Sequence, residues 1–95
     1  VLQGSNITSI IFPNGISSIG SASFNNDVKL TSITIPSTMT EIYDYVFADC
    51  SNLSSITYQG TKTQWGNVIL DPDAFLDVPA SVVHCTDGDV TLIHY

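Results

Sequence analysis

With 95 residues, 43% of them apolar and only 12% charged, the chain is long enough for one packed domain and too apolar for disorder. Nine acidic residues against two basic ones give a net charge of −7 at pH 7, which sets the surface against phosphate backbones and excludes nucleic acid as a partner. No run is apolar for long enough to span a bilayer, so no membrane insertion is expected, and two cysteines are too few for a disulfide framework. Cys50 and Cys85 are read as free, buried thiols.

Residues 1–6, Val1-Leu2-Gln3-Gly4-Ser5-Asn6, read as the tail of an earlier coil, because Ser5-Asn6 stands before Ile7 as Ser51-Asn52 stands before Leu53. The chain is therefore expected to be the C-terminal piece of a longer repeat protein. From Ile7 an apolar frame recurs with a period of 23. Ile7, Ile10, Phe12, Pro13, Ile16, Ile19 and Phe24 fall on Leu30, Ile33, Ile35, Pro36, Met39, Ile42 and Phe47, and Leu53, Ile56 and Tyr58 open a third copy. A repeated apolar frame is the mark of a solenoid, whose single coil cannot bury its own inner face and needs a neighbour. Full coils are assigned to 7–29 and 30–52, with the start of a third at 53. In the first coil Gly20 stands where the second has Tyr43, and Asp27 where it has Cys50. Because aspartate is seldom fully buried, that corner is expected to be open to water.

Within the second coil, apolar alternation over Leu30–Ile35 predicts a short strand with Ile33 and Ile35 inward and Ser32 and Thr34 outward. Pro36 ends it, having no N–H for a ladder. Met39 and Ile42 return the chain along the opposite side, Val46 and Phe47 close the coil, and Cys50 is a small plug before the next strand. Phe24 and Phe47 are expected to stack, with Ile19 beside Ile42. Twenty-three residues leave little room for regular helix.

The third coil starts on this frame and then departs from it. Trp65 falls where the period puts Ile42. Thr61 is read as a helix N-cap with a helix over about Lys62–Val68, and Asp71-Pro72 as the cap and first turn of another. Ala80–Cys85 and Asp89–Ile93, around Thr86-Asp87-Gly88, predict a β-hairpin. Residues 1–58 are thus assigned to the repeats and 59–95 to a module capping the exposed end of the solenoid.

The order L-x-x-I-x-I-P-x-x-M-x-x-I-x-x-x-V-F-x-x-C from Leu30 to Cys50 resembles the BspA-type leucine-rich repeat. Gly20 keeps a glycine usual in that family, and Asp27 departs from its usual cysteine. The tail, Tyr58 to Trp65 with Val83 to Gly88 after it, looks like the terminal module that follows such repeats in surface proteins of anaerobic gut bacteria. The resemblance implies a right-handed leucine-rich-repeat coil, a β-rich solenoid with a parallel sheet on its concave face and a C-terminal cap of short helix and hairpin. It also implies a secreted or cell-surface, non-enzymatic module that binds a host or neighbouring-cell protein or glycan.

Sequence chemistry adds little to this. No nucleophile motif surrounds any serine. His84, Cys85 and His94 match no zinc spacing, and the cluster Asp71, Asp73 and Asp77 does not follow a calcium loop. No cofactor and no metal are expected. The candidate binding face is the outward row of the concave strands, Ser9, Ile11, Ser32, Thr34, Ser55 and Thr57. The alternative is a spacer or stalk that displays another domain and has no ligand of its own. The strand over Ile7–Phe12 is expected to leave an open edge through which the chain self-associates.

Overall fold

The computed structural model describes residues 8–20, 24–71 and 73–92, and these form a β-solenoid with two sheets, parallel except for the last strand of the larger one. Ile7 of the predicted first strand lies outside these residues. The larger sheet is built from β1 (Ser9–Ile11), β3 (Ser32–Ile35), β5 (Ser55–Tyr58), β7 (Val82–Cys85) and β8 (Gly88–Thr91), in that order. The smaller sheet runs β2 (Ser18–Ile19), β4 (Glu41–Ile42) and β6 (Ile69–Leu70). The expected parallel register holds: Ile10 pairs with Ile33, and Ile33 with Ile56.

Apolar side chains of one coil stand on those of the next. Leu30, Ile33, Ile35, Ile42, Val46 and Phe47 are buried, and Ile19 pairs with Ile42. Phe24 lies flat on Phe47 at 5.5 Å between ring centres and 8° between planes, and Phe47 on Phe75 at 5.3 Å and 17°. Phe12 meets Phe24 edge-on at 5.6 Å.

Outside the core, side-chain donors reach carbonyls one coil away. Thr31 Oγ1 donates to the Thr8 carbonyl at 2.9 Å, Thr40 Oγ1 to Ser17 at 2.8 Å, Thr38 Oγ1 to Ile16 at 2.8 Å, and Asn52 Nδ2 to Val28 at 2.6 Å. This accounts for a surface rich in Ser, Thr and Asn and poor in charge. A short neutral donor satisfies a carbonyl in the next coil without the like-charge repulsion that stacked identical positions would impose.

The third coil does not break off. Its corner repeats the backbone bonds of the one before: Phe24 N–H donates to Val46 and Asn26 N–H to Ala48, while Phe47 N–H donates to Ala74 and Asp49 N–H to Leu76. Phe75 lies 28 positions after Phe47, against 23 between Phe24 and Phe47. The extra length is taken up by α1 (Lys62–Gly66). Leu70, not Trp65, occupies the position after Ile42, and Trp65 packs on Tyr58 at 5.1 Å. The strict 23-residue period fails here because the insertion shifts everything after it.

Thr61 caps α1 as expected. Its hydroxyl accepts from Gln64 N–H at 3.2 Å, and the Gln64 side chain accepts from Thr61 N–H at 2.8 Å, a reciprocal capping box. The helix stops at Gly66 rather than Val68, because the chain from Ile69 joins the smaller sheet. The helix predicted from Asp71-Pro72 does not form: residues 73–77 are turns, with Asp73 at φ 64° and Asp77 at φ 60°, which a right-handed helix cannot contain. Pro72 itself lies outside the described residues. The left-handed backbone is a property of the corner, since Asn26 (φ 61°) and Asp49 (φ 61°) occupy the position of Asp77 two coils and one coil earlier, and Asn and Asp tolerate it best after glycine. Tyr45, at the position of Asp73, adopts the same conformation (φ 59°) with a bulky side chain.

Asp27 corrects another expectation. It is fully buried, not open to water. The left-handed turn at Asn26 and the bonds from Asp27 N–H to Phe24 and from Leu30 N–H to Asp27 fix the corner, so whatever residue stands there points inward, as Cys50 does below it.

The hairpin forms with strands at Val82–Cys85 and Gly88–Thr91, and Cys85 pairs with Gly88 across Thr86-Asp87. Ile93, the end of the second predicted strand, lies outside the described residues. β7 is parallel to β5, so the first hairpin strand is also a further rung of the solenoid, and β8 turns back antiparallel. The hairpin turn holds the insertion: Thr86 N–H donates to Gly60 at 2.9 Å, and Lys62 N–H to Asp87 Oδ1 at 2.8 Å. Gly60 is buried beneath this clamp. A Cβ there would stand 2.6 Å from the Tyr58 ring and 2.7 Å from Gln64 Oε1, disturbing a core side chain and the capping box together. Gly60→Ala should therefore destabilise the fold by about 1–3 kcal/mol, the usual range for overpacking, measured by urea denaturation.

Candidate functional face

Alternation on β1, β3 and β5 turns the predicted face outward. Ser9, Ile11 and Thr57 are exposed, Ser32, Thr34 and Ser55 half-buried, and the register lines them up as Ser9–Ser32–Ser55 and Ile11–Thr34–Thr57. Ile11, at the β1 edge of the sheet, is 75% exposed. The six residues do form two ladders on one surface of the larger sheet.

The rows continue further than the sequence reading took them. Thr57 pairs with His84 on β7, and His84 with Asp89 on β8. His84 Nδ1 and Asp89 Oδ1 stand 2.8 Å apart, with side chains 48% and 55% exposed. An ionised carboxylate accepts from Nδ1–H, which orients the ring and leaves Nε2 for another partner. The signal was present in the sequence: a two-residue loop at Thr86-Asp87 sets His84 across from Asp89 by counting back from the turn.

The acids on the other side are paired with one another. Desolvation, a hydrogen bond with Asp71 and its charge hold the Glu41 carboxyl above its ordinary value, and a hydrogen bond with Asp77, desolvation and the charge of Asp77 do the same for Asp49. Asp71 and Asp77 thus turn to different partners and do not converge with Asp73. Among the described residues no three His, Cys, Asp or Glu side chains are grouped to hold a metal ion, and His94 lies outside those residues.

Both cysteines are free. Cys50 is buried, as expected, and its thiol donates to the Phe24 carbonyl at 3.1 Å, whereas Cys85 is only half-buried. Burial pushes the Cys50 thiol up to about 11, and burial with the charges of Asp87 and Asp89 raises Cys85. Only thiolates attack alkylating agents, so the native chain should react slowly with iodoacetamide near neutral pH, at Cys85 before Cys50. Peptide mass mapping after timed quenching reads the order, and Cys50 labelled first would contradict the buried corner.

No helix among the described residues is long and apolar enough to cross a membrane. No curated protein and no solved structure matches the chain. The model of one family, described as BspA type leucine rich repeat region (6 copies), matches residues 1–72. That span takes in the first two coils, the third as far as β6, and the two ladders on β1, β3 and β5, and the chain belongs to the BspA-type leucine-rich repeat family.

Proposed function

We propose that this leucine-rich-repeat module is a non-catalytic adhesion module displayed at a bacterial surface, and that it engages a host or neighbouring-cell protein or glycan through the outward face of the larger sheet. One observation carries this reading. The ladders Ser9–Ser32–Ser55 and Ile11–Thr34–Thr57 form an open face of short hydroxyls that ends in an exposed apolar residue on one side and the His84–Asp89 pair on the other. The short side chains leave the sheet surface close to any partner, and the hydroxyls donate and accept with little entropy to lose. The family supports the reading, since leucine-rich-repeat solenoids are typically binding scaffolds and the BspA-type family is typically surface-associated.

The test is adherence of beads carrying the chain to immobilised mucin and to host-cell monolayers. Thr34→Arg with Thr57→Arg, which fills the face with charged bulk, should abolish adherence. Ser18→Arg, on the smaller sheet, should leave it intact. Beads that bind no better than uncoated ones, or equal binding by both variants, would favour the spacer reading.

A further inference from the structure

The seam between the second and third coils carries two carboxylate pairs and, among the described residues, no cation that offsets them. Asp49 and Asp77 occupy the same corner position in successive coils, both left-handed, and Asp49 N–H donates to the carbonyl of Leu76, which sets the two side chains against each other. Glu41 lies on β4 opposite Ile69 of β6, and Asp71 follows directly after β6, its N–H donating to the Ile42 carbonyl. From the first coil, Ser18 faces Glu41 across β2–β4, and the uncharged Asn26 sits over Asp49. The Cys50 thiol feels the charges of Asp27 and Asp49 and is itself committed to the Phe24 carbonyl. Lys62 lies at the terminal hairpin, its Nζ near Gly88. Among the described residues neither lysine offsets either pair.

We propose that these pairs make an acid-tightened seam: a single proton shared within each pair converts a repulsion between coils into a hydrogen bond between them. When both members are ionised, like charges are held together by a backbone that cannot separate without breaking the coil-to-coil ladder. When one is protonated, its O–H donates to the other's carboxylate, one of the stronger kinds of hydrogen bond. The sign follows from linkage. The folded chain binds these protons at a pH where the unfolded carboxylates have released theirs, because Glu41 and Asp49 titrate above their ordinary values of 4.5 and 3.8. Stability is therefore gained as pH falls through the folded values, is complete below the ordinary ones, and is lost as pH rises again. The two pairs join the same two coils, so they act on one seam.

The experiment is the thermal midpoint of the 95-residue chain between about pH 7 and about pH 4, the range that brackets ordinary carboxyl titration. The wild-type midpoint should rise on acidification. Asp77→Asn and Glu41→Gln each place an amide donor opposite the remaining carboxylate, so each should raise the midpoint at neutral pH and flatten the profile, and the double variant should be nearly flat. Thr91→Lys, an exposed position on β8 of the larger sheet, changes the net charge by the same unit away from the pairs and should keep the wild-type slope, which separates the seam from a general fall in net charge. A wild-type midpoint that falls over the upper half of the range, or a double variant with the wild-type slope, overturns the proposal. If a variant does not fold, carbon-13 titration of the wild-type carboxyls decides: Asp49 and Glu41 must each titrate above the ordinary carboxyl range, and ordinary titration of both overturns the proposal as well. Adherence plays no part in these readouts, so their outcome does not depend on the binding face.

Discussion

Phe47→Ala should unfold most of the chain's margin of stability in a single change. Phe47 is fully buried, lies between Phe24 and Phe75 at 5.5 and 5.3 Å, and also meets Phe12 at 6.4 Å. Truncating a buried aromatic costs about 3–5 kcal/mol, from lost transfer energy and from the cavity left behind. Here the neighbours are rings held by the parallel ladders, so they cannot close the gap without shifting a strand. A domain of this size has only about 5–15 kcal/mol in all, so the variant should lose a large part of its urea midpoint. Tyr45→Asn is the natural comparison: Tyr45 is 43% exposed and left-handed, and Asn is easier in that backbone, so this variant should be no less stable than the parent. A loss well under a kilocalorie at Phe47 would mean that the stacked rings do not form the core.

The second large effect is expected at Trp65. Its ring is buried against Tyr58, inside the insertion that the hairpin clamps through Thr86 and Asp87. Trp65→Ala should again cost about 3–5 kcal/mol. Its distribution should differ, however. Loss of this contact frees α1 and with it the bonds to the hairpin, so amide exchange should quicken first over 60–66 and 82–91, while β1 and β3 keep their protection longest. Uniformly faster exchange along the chain would show that the insertion and the first coils unfold as one unit.

Much of the fold was legible because stacking repeats the same physical demand. Ile33 and Ile56 had to face inward for the same reason as Ile10, and a period of 23 made that visible without any knowledge of the backbone. The outward set followed directly from alternation, which is why all six predicted face residues lie on one surface. What the period hid was the insertion. Trp65 coincides in number with the place of Ile42, and nothing in the local residues says that five extra positions have entered. Phe75 and Val78, read only as apolar contacts, are the third members of the Phe24–Phe47 and Asp27–Cys50 columns. The carboxylate pairs were invisible for the same reason, since Asp77 meets Asp49 only once the longer coil is counted. Asp27 was misplaced by its chemistry: aspartate argues for water, but the turn that aims the position is set by Asn26 and the backbone, not by the residue being aimed.

The unequal coils have a consequence for how such a chain varies. Ile56, Leu70 and Phe75 keep their places over Ile33, Ile42 and Phe47 although the path between the first two has been lengthened by a helical turn. Perimeter and stacking are therefore set independently. The bend after β5 is a place where sequence can be added with the columns undisturbed, so neighbouring coils of one solenoid can carry outlines of different size on a common axis. Diversity in what the molecule presents need not come from its strands at all. It can accumulate at the bends, where length is cheap, while the interior stays fixed.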